Sequence, residues 1–155
     1  MKNQNIEQYW QQYLNTLPHN AQDQQITYTA EAFGDSPAMA NELGQLIVAG
    51  TKTATCSALW EWEADGDPLP QVGDKTIILD GNSQPLCIIE VTEVAIRPYN
   101  QVDAQFAYEE GEGDRSLAYW QDAHWRFFTR TLAMIDKEPQ EDMPLVCERF
   151  RVIFP

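Results

Sequence analysis

Lys52 and Thr55, three residues apart, are the first side chains in this sequence that could act together on a substrate. A hydroxyl attacks an acyl carbon only when a base takes its proton, and a lysine whose pKa is lowered by burial can be that base. The ordinary role is as plain: a lysine just past a helix C-terminus is favoured by the helix dipole, and threonine is a common strand residue. Residues three apart on a strand point to opposite faces, so the pair works together only if Lys52 belongs to the turn rather than the strand. A second group is the acidic run Glu109, Glu110, Glu112 and Asp114, punctuated by Gly111 and Gly113. It offers a general acid, or oxygen ligands for magnesium or manganese from Glu110, Glu112 and Asp114. Such runs are more often solvated loops, but the glycines permit tight backbone between two helices. A third group is Arg97, Tyr99, Tyr108 and Arg115, with Trp60 and Trp62. Aromatic and guanidinium planes stack on bases, and arginine pairs with phosphate. Trp60 and Trp62 share one strand face and serve equally as core.

The elements that must position these groups follow from periodicity. Ile6, Tyr9, Trp10, Tyr13, Leu14 and Leu17 form one helical stripe ended by Pro18, a packing arm whose aromatics are core rather than a stacking surface. Residues 19–25 are polar and loop-like, and residues 26–29 read as a short strand. Asp35-Ser36-Pro37 starts a helix running to about Ala49, where Gly50 supplies the left-handed stop. Residues 53–58 then alternate small side chains up to Leu59-Trp60, giving a strand that a ligand can approach closely. Strands follow at 75–79 and 86–94 around the turn Asp80-Gly81-Asn82, with Arg97-Pro98 closing the second. A short helix capped near Asp103 precedes the acidic run, and a long helix begins near Asp114 or Ser116 and is broken by Glu138-Pro139. Residues 143–154 form the last strand. Strands at both ends, helices between them and a central hairpin predict a mixed α+β fold with a mainly antiparallel sheet that can close into a small barrel.

At 155 residues the chain reads as one domain with a real core, since 43% of it is hydrophobic. No apolar run is long enough for a membrane span, and Met1 to Asn5 lacks a signal-peptide core, so a cytoplasmic protein is expected. Cys56, Cys87 and Cys147 each lie in an extended apolar stretch and read as small buried hydrophobes. With only His19 and His124 there is no histidine cluster for zinc. The formal charge of −14 disfavours duplex DNA, because phosphate backbones are held by cations that release counterions. It leaves room for a local pocket taking one nucleotide, one nucleoside or a short single strand.

Phe33-Gly34-Asp35-Ser36-Pro37, Gly50-Thr51-Lys52-Thr53-Ala54-Thr55, Val72-Gly73-Asp74, the strand Ile88 to Val94, Glu110-Gly111-Glu112-Gly113-Asp114-Arg115-Ser116-Leu117 and Cys147-Glu148-Arg149-Phe150 together resemble the ASCH family, the activating-signal-cointegrator homology domain. The resemblance covers roughly residues 26–155, with residues 1–25 as an added helical arm. It implies a PUA-like, mostly antiparallel β-barrel with surrounding helices, and a general association with RNA. One branch of the family is similar to small amidohydrolases that remove the acetyl group from N4-acetylcytidine with a Lys-x-x-Thr motif and a later glutamate. On that likeness Lys52 is the base, Thr55 the nucleophile and Glu112 the acid, with Glu109 or Glu110 as substitutes for Glu112, and no cofactor is required. Ser57 and Ala58 stand where those enzymes carry arginine, so Ser57 joins Arg97, Tyr99, Tyr108 and Arg115 as an expected ligand contact. Another branch is associated with metal-dependent cleavage of single-stranded RNA, which would give manganese or magnesium to Glu110, Glu112 and Asp114. The expected partner is a small nucleoside or short single-stranded RNA, the alternatives being a ribonuclease and a non-catalytic RNA-binding module.

Overall fold

The computed structural model describes residues 2–18 and 25–155, so His19 and nearly all of the polar stretch expected as a loop at 19–25 lie outside the described residues. In chain order the elements are α1 (Lys2–Leu14), β1 (Thr29–Glu31), α2 (Pro37–Val48), β2 (Ala54–Ala58), α3 (Leu59–Asp65), β3 (Lys75–Leu79), β4 (Pro85–Pro98), a 3-10 turn (Tyr99–Gln101), α4 (Ala104–Glu110), α5 (Leu117–Ala133) and β5 (Pro144–Phe154). The strands form one five-stranded sheet in the order β1-β3-β4-β5-β2. β1 pairs with β3 in parallel, whereas β2 with β5 and β3 with β4 are antiparallel. This is the mixed α+β, mainly antiparallel arrangement that the strand pattern predicts. Among the described residues no helix is long and apolar enough to cross a membrane.

The chain divides into two compact units, residues 1–50, 73–90 and 151–155 in one, and residues 51–72 and 91–150 in the other. In the first, α1 lays Trp10 and Tyr13 against Ile77, Leu79 and Ile88, and Trp10 stacks on Tyr28 with centroids 4.4 Å apart. The aromatic stripe is core, as its helical spacing suggests. α2 is capped by Ser36, whose hydroxyl accepts from Met39 N at 3.1 Å, and it carries proline in its first turn. The second unit gathers α4, α5, β2 and β5 around Phe106, Trp120, Phe128, Leu132, Met143 and Leu145.

Two expectations shift. The strand expected at 26–29 begins at Thr29, because its register is set by pairing with Thr76 to Ile78 rather than by its own short apolar run. Leu59 to Trp62 is helical, not strand, so Trp60 and Trp62 do not share a strand face. A two-residue alternation cannot tell the end of a strand from the first turn of the helix that follows it.

A buried ion cluster as the candidate functional site

All the elements that build the site belong to the second unit. After Gly50, which sits at φ 79° and ends α2, Thr51 and Lys52 lead into β2. Thr53 N donates to Glu109 O at 2.7 Å and Thr53 O accepts from Phe150 N at 3.1 Å, so this short entry is clamped between the end of α4 and β5. α4 starts at Asp103, whose carboxylate accepts from Phe106 N at 2.8 Å, and stops at Gly111 with φ 76°. A Cβ on Gly111 would meet Thr51 O at 2.5 Å, so the backbone approach here requires glycine twice over. Arg115 seals the same corner by donating to Tyr108 O at 2.9 Å and Thr51 O at 3.2 Å. Its guanidinium lies 3.6 Å from the Tyr108 ring centroid. α5, capped by the Ser116 hydroxyl, then presents Trp120 and His124 one turn apart on its buried face.

This scaffold turns Lys52 inward, leaving it 1% exposed. Its ammonium donates to Ala54 O at 2.8 Å, to Glu110 Oε1 at 2.8 Å and to Glu112 Oε2 at 3.1 Å. A longer contact to Glu110 O at 3.4 Å completes its surroundings, so each of its three protons has an acceptor. The other Glu110 oxygen accepts from Trp120 Nε1 at 2.7 Å and faces His124 Nε2 at 3.2 Å. His124 Nδ1 lies 2.9 Å from Trp120 O. A carbonyl only accepts, so Nδ1 carries a proton, and Nε2 facing a carboxylate carries a second. His124 is therefore an imidazolium, and its charge with that of Lys52 balances those of Glu110 and Glu112.

The titration tendencies follow from this balance. Burial pulls the Lys52 and His124 pKa values down, but the Glu110 and Glu112 carboxylates outweigh it and hold both groups above their ordinary values. Burial pushes Glu110 up, and Lys52 and His124 more than reverse that, so its carboxyl lies well below the usual carboxylate range. Cys56, a residue of intermediate exposure, lies beside Glu110, and burial followed by that negative charge pushes its thiol well above the ordinary value.

The expected site residues separate into those the cluster gathers and those it leaves out. Lys52 and Glu112 come together from positions 60 residues apart. Thr55 does not join them. It pairs across from Glu148 on β2, between Ala54 and Cys56, whose face packs on the core. Its side chain consequently projects to the opposite face. The structure therefore brings Lys52 to Glu110 and Glu112 and does not bring Thr55 to its ammonium. The expected metal trio is not gathered at one point either. Asp114 is fully exposed with its carboxylate on Ser116 N at 2.9 Å, while Glu110 is already neutralised by two cations. Cys56, Glu110 and His124 place ligand atoms within 4.8 Å of one another, the one such group among the described residues, but the Lys52 ammonium occupies the cation's electrostatic place there. Glu109 is drawn off by Arg149, which also pairs with Glu93.

Of the expected ligand contacts, Tyr99 is buried, gives its hydroxyl to Gln121 O at 2.6 Å and packs on Trp120. It is a core residue. Ser57 accepts from Trp62 Nε1 at 2.8 Å, and Arg97 stands 3.9 Å from Asp103. Tyr108 is 51% exposed with Arg115 stacked on it, and these two remain at the surface beside Gly111. Sequence reasoning missed Glu110 as the hub, and with it Trp120, His124 and Cys56. The available signal was a histidine at i+4 from a tryptophan on the apolar face of α5, a titratable group where periodicity calls for a hydrophobe.

A family model for the ASCH domain matches residues 29–154. The chain belongs to the ASCH family. It is similar to the crystal structure of an ASCH domain from Lactobacillus crispatus JV V101, at 37% identity and TM-score 0.93 over 98% of this chain and 96% of that one. It is also similar to a protein from Enterococcus faecalis V583, at 43% identity and TM-score 0.87 over 97% and 89% of the two chains. Both likenesses take in the N-terminal helix that precedes the family model's span. No curated protein matches. The fold of this ASCH protein is the PUA-like α+β fold, one associated with RNA.

Proposed function

We propose that this ASCH protein is a hydrolase for a small nucleobase-containing substrate, an acylated nucleoside such as N4-acetylcytidine. The observation that carries the reading is a carboxylate, Glu112, that is 23% exposed and lies 3.1 Å from the fully buried Lys52 ammonium. Glu112 is the one member of the neutral ion cluster that reaches solvent to this degree, and it stands beside the buried, perturbed Lys52 and Glu110, the kind of neighbourhood that marks a functional-site candidate. In this reading a water, not Thr55, attacks the acyl carbon as Glu112 takes its proton. Protonation of Glu112 discharges its ion pair with Lys52, so the ammonium's field is uncovered as negative charge develops on the acyl oxygen. Collapse of the tetrahedral intermediate breaks the C–N bond, and the Glu112 proton goes to the leaving amine. Acetate and the deacylated nucleoside, cytidine, result. Tyr108 and Arg115 supply a planar surface for the base. A long RNA is disfavoured by the charge of −14.

The test is hydrolysis of N4-acetylcytidine and of a short single-stranded RNA, each with and without chelator. The expected result is chelator-resistant release of acetate that falls about a hundredfold or more in Glu112→Gln, the usual worth of acid–base assistance. Cleavage of RNA abolished by chelator moves the assignment to a ribonuclease, and steeply salt-dependent RNA binding without turnover moves it to a binding module.

A further inference from the structure

Cys56, Cys87 and Cys147 are all free thiols. Two of them stand directly opposite one another, since Cys56 on β2 is the register partner of Cys147 on β5. The phase of the ladder fixes what kind of pair this is. Phe150 N donates to Thr53 O at 3.1 Å, so positions 53 and 150 are a hydrogen-bonded pair. Hydrogen-bonded and non-hydrogen-bonded pairs alternate along an antiparallel ladder, which makes the pair three steps on a non-hydrogen-bonded one. In such pairs the Cα atoms are about 4.5 Å apart with the side chains on one face, and disulfides span Cα separations of about 4.4–6.8 Å. Neither sulfur is otherwise strongly held: the Cys147 thiol makes a weak contact with Leu145 O at 3.9 Å, and Cys56 leans on Glu110.

We propose that Cys56 and Cys147 are an oxidisable dithiol, a modification site that a small-molecule disulfide converts reversibly to a cross-strand bond. Cys56 is the more exposed of the two and reacts first. Its thiolate attacks one sulfur of the reagent, breaking that S–S bond and releasing one reagent thiol. The Cys147 thiolate then attacks Cys56 Sγ, forming the protein disulfide and releasing the second reagent thiol. The two protons lost by the cysteines end on the two reagent thiols, and the electron pair lost by the protein reduces the reagent. Burial and the Glu110 carboxylate keep Cys56 protonated, so the reaction is slow near neutrality and quickens about tenfold per pH unit as the thiolate appears. The bond draws Cys56 away from Glu110 and ties the edge strand β2 to β5. Oxidation thereby reaches the ion cluster without touching Lys52 or Glu112.

The experiment is incubation of the folded, full-length protein with excess hydroxyethyl disulfide at mildly alkaline pH, followed by acid quench, intact mass and peptide mapping. The expected result is a loss of two hydrogens, a peptide joining Cys56 to Cys147, and full reversal by dithiothreitol. Cys147→Ser should instead trap a stable adduct of half the reagent on Cys56, and Cys147→Ala provides the same trap should the serine variant fail to fold. A wild-type protein that accumulates the stable adduct on Cys56, links through Cys87, or stays unmodified while the urea-unfolded chain is fully oxidised overturns the proposal. None of these readouts depends on the hydrolase assay.

Discussion

Removing Lys52 alone should damage this protein more than removing Lys52 and Glu110 together. The ammonium and the carboxylate lie 2.8 Å apart and are each 1% exposed. Their attraction is worth about 6 kcal/mol at an effective dielectric constant of about 20. Desolvation of two buried ions takes back several kcal/mol apiece, so the intact pair contributes little net stability. Lys52→Met nevertheless leaves Glu110 buried with only His124 and Trp120 beside it, and Glu112 without its cation. That imbalance should cost about 3–5 kcal/mol, a large share of the total for a domain of this size. In Lys52→Met with Glu110→Gln the uncompensated charge is gone, and the loss should shrink, giving a coupling energy of about 2–3 kcal/mol. Urea unfolding of the four proteins at neutral pH, followed by tryptophan fluorescence, measures each term. Effects that add to within about 0.5 kcal/mol would refute the cluster as a coupled unit.

Four further outcomes follow from the same geometry. His124 has a raised pKa, so the stability it adds is fully present below its ordinary value of 6.5 and is lost as pH rises through the folded value, whereas the depressed Glu110 loses its contribution only on strong acidification. Urea unfolding from about pH 5 to 8 should therefore show declining stability on the alkaline side, and His124→Gln should flatten that slope. Trp120→Phe deletes the 2.7 Å donor to Glu110 and should cost about 1–3 kcal/mol beyond the lost indole volume, read by the same method. In Glu110→Gln the NMR titration of His124 should move down, because burial remains while the largest interaction that raises it is removed. Gly111→Ala should cost more than Gly66→Ala, since both have positive φ but only the first drives a Cβ to 2.5 Å from backbone, and thermal unfolding of the two variants compares them.

The parts of the fold legible in the sequence are those set locally. Ser36 and Pro37 at the start of α2, Asp103 capping α4 and Ser116 capping α5 are visible because a cap needs only the next three residues. β1 was misplaced because partners far along the chain, Thr76 to Ile78, decide it, and α3 because a two-residue alternation does not separate the end of a strand from the start of a helix. Lys52 and Glu112 were legible as chemical types, through the resemblance. Glu110 was legible as a candidate carboxylate but not as the buried hub, since nothing in Glu-Glu-Gly-Glu shows which carboxylate turns inward. That choice is made by helical phase. Glu109 faces Arg149 while Glu110, one residue and 100° further round α4, faces Lys52.

The same phase argument explains why the cluster needs residues from three elements rather than a simple ion pair. A lone buried Lys52–Glu110 pair would leave one carboxylate oxygen and two ammonium protons without partners, each a desolvation cost of about 1–3 kcal/mol or more. Trp120 and His124 on α5 satisfy the second oxygen, and Glu112 together with Ala54 O satisfies the remaining protons. Adding His124 as a second cation requires a second anion, and Glu112 supplies it from the far side of Gly111. This last member gives up its partner to water at the most modest cost, because it is the most exposed, at 23% against 11% for His124 and 1% for Lys52 and Glu110. A cluster with one partly exposed carboxylate can open its rim to water or substrate while its core pairs stay closed. The asymmetry predicts that Glu112→Gln is the mildest of the carboxylate substitutions for folding and the most severe for turnover. Equal losses of both in Glu112→Gln and Glu110→Gln, by urea unfolding and acetate release, would show that the rim carboxylate has no separate role.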